Sequence, residues 1–226
     1  MDRVHRIVMA LVAWSMATAA FGAHREHLSV RVYNTSVTAR TFSTAIREAA
    51  RLLGEAGVEA EWHDCSVAAR PASAVPSLCG DPLQQREVIV RVASAPQGAP
   101  NPRRLGEALV DGDSGTGSFA TIFADRVAVV ARDAGLPRAS LLGAVMAHEI
   151  AHLLGAGHGP DGLMGAPWSQ AELHRSHAHG WRFSPDEGER MRRTLKEPSD
   201  TRAPLSLPLA SVTSGGRAPS AYTDLR

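Results

Sequence analysis

Two cysteines in 226 residues, a formal charge of +1 and no long run of charge of one sign exclude several kinds of protein at once. A chain so nearly balanced has nothing that invites nucleic acid, and without a basic run it has no evident acidic surface as a partner. The apolar stretch over residues 7–21 falls short of the roughly 20 residues that a membrane-spanning helix needs. No cysteine follows it, which argues against a bacterial lipoprotein anchor. With Arg3 and Arg6 ahead of it and small residues behind, the stretch has the layout of a secretory signal peptide. Cleavage is expected between Ala19 and Ala23, after either Ala17-Thr18-Ala19 or Ala20-Phe21-Gly22. The expected product is secreted or periplasmic, with no membrane insertion after cleavage; the alternative is an uncleaved anchor.

What the chain does have is the stretch over residues 148–158, HEIAHLLGAGH, which fits H-E-x-x-H-x-x-G-x-x-H at every specified place. Leu141, Leu142, Val145, Ile150, Leu153 and Leu154 recur around it at helical spacing, with Ser140 as the expected N-cap. Residues four apart share a helix face, so His148 and His152 can offer two imidazole nitrogens to one metal ion. Glu149 is turned by about 100° from His148 and can lean over the site without filling a coordination position, which suits a general base. Gly155 can adopt a left-handed backbone, so the helix can stop there and the chain turn sharply. His158 can then reach back as a third ligand. Three protein ligands leave a fourth position open for water, the pattern of a catalytic zinc site rather than a structural one.

On these residues the sequence resembles the metzincin clan of zinc metalloproteases. Met164, within Asp161-Gly162-Leu163-Met164-Gly165-Ala166-Pro167, stands where that clan has a methionine in a tight turn beneath the metal. The short interval from His158 looks most like the matrixin branch, so a minimal, bacterial-type matrixin-like catalytic domain is expected. The resemblance implies an α+β, zincin-like fold: a twisted mixed sheet of about four to five strands, an active-site helix and a C-terminal helix. It also implies one catalytic Zn2+ on His148, His152 and His158, Glu149 as catalytic base, Met164 as the Met-turn residue, and a protein or peptide as substrate.

Along the chain, Leu28, Val30 and Val32 alternate with polar neighbours as a strand would, and residues 38–53 then follow a helical period through Phe42, Ile46, Ala49, Ala50 and Leu53. Val58, Ala60 and Trp62 alternate again, which makes a βαβ opening. Cys65 and Cys79 flank a loop rich in Pro, Ala and Ser. In an exported protein two cysteines most simply pair, although Cys79-Gly80-Asp81-Pro82 faintly resembles the cysteine switch of matrixin propeptides. Residues 87–92 read as a third strand and 96–104 as a Pro-rich loop. The acidic, glycine-dense residues 111–117 are either a flexible turn or a Ca2+ loop using Asp111 and Asp113, of a sort many matrixins carry; EF-hand spacing is absent. Residues 119–123 are the candidate for the sheet edge that binds substrate in metzincins. Asp125 is the expected cap of a segment over Val127, Val130 and Ala131, where helix and strand readings compete.

Beyond Met164, Trp168, Trp181 and Phe183 read as core aromatics, with Trp168 beneath or beside the cleft. His174, His177 and His179 lack fixed ligand spacing and are expected to be solvated. Ser184, Pro185 and Glu187 make a helix start with a capping box, and the helix should run to about Lys196. The expected organisation is a signal peptide over 1–23, one catalytic domain over 24–197 and a disordered tail over 198–226, where Ser, Thr, Pro, Gly and Ala dominate. No propeptide is evident, and the domain is expected to act as a monomer.

The expected function is that of a secreted zinc-dependent endopeptidase. One alternative keeps the zinc but takes Glu172, 20 residues after His152, as third ligand in the manner of gluzincins. The other is a secreted zinc-binding module that recognises a protein partner without turnover.

Overall fold

The structure is a computed structural model that describes residues 25–66, 77–98, 101–165 and 167–197. The leader expected over 1–23 and the tail expected over 198–226 lie outside the described residues. Alternating apolar residues give β1 (Glu26–Asn34) one face for a core, and Leu28, Val30 and Val32 are buried there. The helix α1 (Ala39–Glu55) follows, capped by Thr38, whose side chain accepts a hydrogen bond from the Thr41 amide. Phe42, Ala45, Ala49, Leu52 and Leu53 form its buried stripe. Gly57, at φ +82°, then turns the chain into β2 (Val58–Asp64), which pairs parallel to β1.

Three further strands complete the sheet: β3 (Glu87–Ala93), β4 (Gly106–Val110) and β5 (Gly117–Phe123). Their order is β2-β1-β3-β5-β4; the first four are parallel and β4 is antiparallel to β5. Register carries the apolar stripe across the sheet, with Val30 beside Val88, Val90 beside Ala120, and Ala120 beside Ala108. This is the expected mixed sheet of an α+β fold. The expected edge is corrected, because β5, which contains residues 119–123, lies inside the sheet and β4 takes the edge. A five-residue strand that begins with glycine has little period-two signal of its own, and it joins the sheet only because the chain reverses at once after it.

That reversal also settles the acidic loop. The Asp111 carboxylate accepts hydrogen bonds from the amides of Asp113 (3.1 Å) and Ser114 (2.9 Å), and Gly115 takes φ +64°. Of the two readings of this loop the turn is the one seen: the Asp111 carboxylate closes the β4–β5 connection, as Asx side chains do. Among the described residues no group of three or more acidic side chains gathers around it.

Next come α2 (Ala124–Asp133) and α3 (Arg138–Leu153), so the uniformly apolar segment after β5 is helical. Neither expected cap holds. Asp125 Oδ1 accepts from the Ala95 amide instead of closing α2, and α3 begins two residues before Ser140, with Pro137 in the N-cap position. Proline's fixed φ suits that entry without a side-chain cap. Every residue of α3 from Leu141 to Leu153 is buried, as befits a helix sheathed on all sides. The last helices are α4 (Gln170–His179) and α5 (Pro185–Lys196), each opened by a capping box, Ser169 with Glu172 and Ser184 with Glu187.

Cys65 and Cys79 form a disulfide, so Cys79 is not free to act as a switch on a metal. Arg31, buried on the sheet face away from the apolar stripe, anchors the chain beyond it. Its guanidinium donates to the Asp81 (2.6 Å) and Pro82 (3.2 Å) carbonyls and pairs with Glu87. Among the described residues no helix is long and apolar enough to cross a membrane.

The position of α3 rests on its closeness to α1. A Cβ at Gly143 would lie 2.6 Å from the Ala45 carbonyl oxygen, a backbone atom that cannot swing aside. Gly143→Ala is therefore expected to lower unfolding stability by about 1–3 kcal/mol, the usual cost of overpacking. Urea titration of the two proteins checks this; a variant as stable as the parent would mean that the helices do not approach so closely.

Candidate metal centre

The site grows out of the C-terminal end of α3. Gly155, at φ +83°, closes that end in a Schellman motif: its amide donates to the His152 carbonyl (3.0 Å) and the Ala156 amide to the Ala151 carbonyl (2.9 Å). From α5, the Thr194 hydroxyl donates to the Leu154 carbonyl (2.9 Å) and ties down one more group of the helix end. The same turn places the Ala156 carbonyl where it accepts from His152 Nδ1 at 2.8 Å.

The chain then passes His158 and doubles back. The Gly159 amide donates to the Met164 carbonyl (3.0 Å), Gly159 bridges to Gly165, and the Leu163 amide donates to Arg182 (2.8 Å). Gly162, at φ +72°, makes the tight turn possible. Met164 is fully buried in this turn, and the Leu163 carbonyl beside it accepts from His148 Nδ1 at 2.8 Å. Two backbone carbonyls thus hold the two helical histidines from behind.

A carbonyl can only accept, so both Nδ1 atoms carry hydrogen, and each neutral ring has a bare lone pair on Nε2. Those two Nε2 atoms lie 2.9 Å apart, and His152 Nε2 lies 3.1 Å from Nε2 of His158. Burial, with the neighbouring histidines, holds His148 well below the usual histidine range, and burial with His158 brings His152 down to about 4. That direction disfavours a proton shared between the facing lone pairs. A cation between them would reconcile them: around a tetrahedral ion with Zn–N near 2.0–2.1 Å, ligand nitrogens sit about 3.3 Å from one another. The ligand atoms of His148, His152 and His158 all fall within 4.8 Å of one another, the only such group of three or more His, Cys, Asp or Glu among the described residues. The donor set and its spacing fit the metal.

Glu149 is 1% exposed, and neither carboxylate oxygen has a hydrogen-bond partner among the described residues. Burial pushes its pKa well above the usual carboxylate range; Glu107 adds to this and Arg104 opposes it. Trp168 stands edge-on to His148 with ring centroids 5.4 Å apart and packs on the buried Trp181 at 4.6 Å, so it flanks the centre.

The alternative ligand and the remaining histidines lie apart from this group. Glu172 Oε2 accepts from the Ser169 amide (2.7 Å) in the capping box of α4, so the reading that makes it a third ligand is corrected in favour of His158. His174, His177 and His179 are exposed on α4 and form no such group. Phe183 packs partly buried against the core. Sequence reasoning passes over the two carbonyls that orient the ligands, because a carbonyl is common to every residue and leaves no mark in a sequence.

No protein-family model matches the chain, and no curated protein matches it. Among solved structures it is similar to an archaemetzincin from Methanopyrus kandleri, at 18% identity and a TM-score of 0.49, over 76% of this chain and 97% of that one. It is similar also to a zinc-dependent peptidase from Methanocorpusculum labreanum, at 16% identity and a TM-score of 0.47, over 72% and 99% of the two chains. A third is an archaemetzincin from Archaeoglobus fulgidus complexed with malonate, at 18% identity and a TM-score of 0.43, over 72% and 99%. Likeness of this degree is too slight to carry activity from those proteins to this one.

Proposed function

We propose that the chain is a zinc-dependent endopeptidase of metzincin type, with His148, His152 and His158 holding the ion and Glu149 as general base. The observation that carries this reading is the pair of bare, buried Nε2 lone pairs held 2.9 Å apart. Such an arrangement is costly unless a cation lies between them. When bound, zinc on three neutral imidazoles supplies Lewis acidity, polarising a carbonyl and letting water lose a proton near neutral pH.

The chain's own residues do the remaining work. The Leu163 and Ala156 carbonyls fix the tautomers and orientation of the two helical histidines. The Glu149 carboxylate, with no competing donor, takes the proton of a water attacking a peptide carbonyl and returns it to the amine as the C–N bond breaks. Burial makes it a stronger base than an exposed glutamate, which is the direction this role requires. A zinc-binding module without turnover would have no use for a buried, unpartnered carboxylate beside its ligands, and that weighs against the binding-only reading.

The short return from His158 to Met164 supports a matrixin-like variant of the fold. Export is part of the same reading, supported by the charged and apolar pattern over residues 3–21 and by the disulfide, which persists in oxidising compartments. A monomer is part of the same reading, because three histidines of one chain suffice as the proposed ligands.

Glu149→Gln is expected to keep one zinc per chain and to lose about 10²–10⁴-fold in hydrolysis of a mixed unfolded protein substrate. A Glu149→Gln protein that binds zinc and retains full activity would sink the proposal. Metal analysis of two further variants tests the ligands. His158→Ala should emerge with much less bound zinc and Glu172→Gln with the full amount, and the reverse pattern would restore Glu172 as the ligand.

A further inference from the structure

Gly106 opens the edge strand β4, and nothing in its backbone asks for glycine. Its φ lies outside the left-handed region that favours this residue, and it pairs with Ile122 in ordinary antiparallel register. What singles it out is the space where a side chain would be. A Cβ there would fall 2.6 Å from Glu149 Oε1, 2.8 Å from Cγ and 2.9 Å from Cδ. We infer that Gly106 is a positioning residue for Glu149: the carboxylate lies in the volume that this strand leaves empty at position 106.

The two backbones that form this gap are both held. On one side, the Phe123 amide donates to the Leu105 carbonyl (2.8 Å), and Arg126 Nη1 donates to the Arg104 carbonyl (3.0 Å), fastening the start of β4 to β5 and α2. On the other, α3 is buried along its length and packed on α1 at Gly143. Neither wall can retreat without disturbing the core. The atoms that can move are those at the end of the Glu149 side chain, so a methyl group at position 106 would displace the carboxylate before it displaced the fold.

The consequence is specific. In a strand, alanine is ordinarily at least as favourable as glycine, because glycine loses more backbone freedom on folding. At position 106 the sign should reverse, and the reversal should depend on Glu149. The contact itself is independent of what the carboxylate does; only its effect on rate rests on the peptidase reading.

The test is a cycle of four full-length proteins: the parent, Gly106→Ala, Glu149→Ala and the double variant. Thermal melting is measured on all four, and zinc content and kcat on the parent and Gly106→Ala. Gly106→Ala is expected to lower Tm in the parent but not in the Glu149→Ala background. It should also keep one zinc per chain and lose about 10²-fold in kcat, the order of loss expected when a catalytic group is misplaced by about 1 Å. Equal Tm shifts in the two backgrounds, or an unchanged kcat, would each overturn the inference. Should Gly106→Ala not fold, a double variant that does fold supports it, and failure of both overturns it. If the parent hydrolyses nothing, the peptidase reading falls, while the melting cycle still decides whether Gly106 sets the place of the carboxylate.

Discussion

Two imidazoles are held with their lone pairs facing across 2.9 Å, and much of this fold serves to keep them so. Each is fixed from behind by a backbone carbonyl that leaves its tautomer no choice. Beside them sits a carboxylate with no donor of its own among the described residues. In an apolar interior each unmatched polar group costs about 1–3 kcal/mol, and more if charged. The surrounding structure must hold these groups in place against that penalty, which a bound divalent cation would offset. The all-round burial of α3, the Schellman turn at Gly155 and the hydroxyl of Thr194 on its last turn are the means of doing so.

The carbonyl holding His148 belongs to Leu163, next to the buried Met164, and the turn around them is tied to Arg182 just ahead of α5. The C-terminal helix therefore takes part in the centre without contributing a ligand: one of its residues tethers the end of α3, and the chain leading into it tethers the turn. On the far side of the sheet the buried Arg31 holds the Asp81 and Pro82 carbonyls, and the disulfide ties Cys79 to the end of β2.

How much of this could be read from the chain depends on what carried the information. The clustering of His148, His152 and His158 was legible because a metal grip requires particular side chains at particular intervals, and the helix stop at Gly155 because a sharp turn favours one residue. The helices with capping boxes were legible for a similar reason, since Ser184 and Glu187 fulfil a local rule that the fold respects. Strand β4 was not, because five residues beginning with glycine leave little alternation, and its place at the edge is decided by pairing with β5 rather than by its own composition. Asp125 and Ser140 misled because capping residues near a helix start are common, while tertiary contacts chose the true starts. Asp111 is a milder case: one carboxylate suits a turn or a cation, and only the position of the neighbouring amides distinguishes them. Gly106 matters through an atom it lacks, and no pattern in the chain points to it.

The three histidines are unequally hidden, with His148 and His152 inside the protein and His158 at its surface. An ion arriving from solvent would meet the outer imidazole first and then pass inward to a pair already aligned by the helix. Access to the cluster from solvent is therefore set by the exposed ring of His158, not by the buried pair behind it.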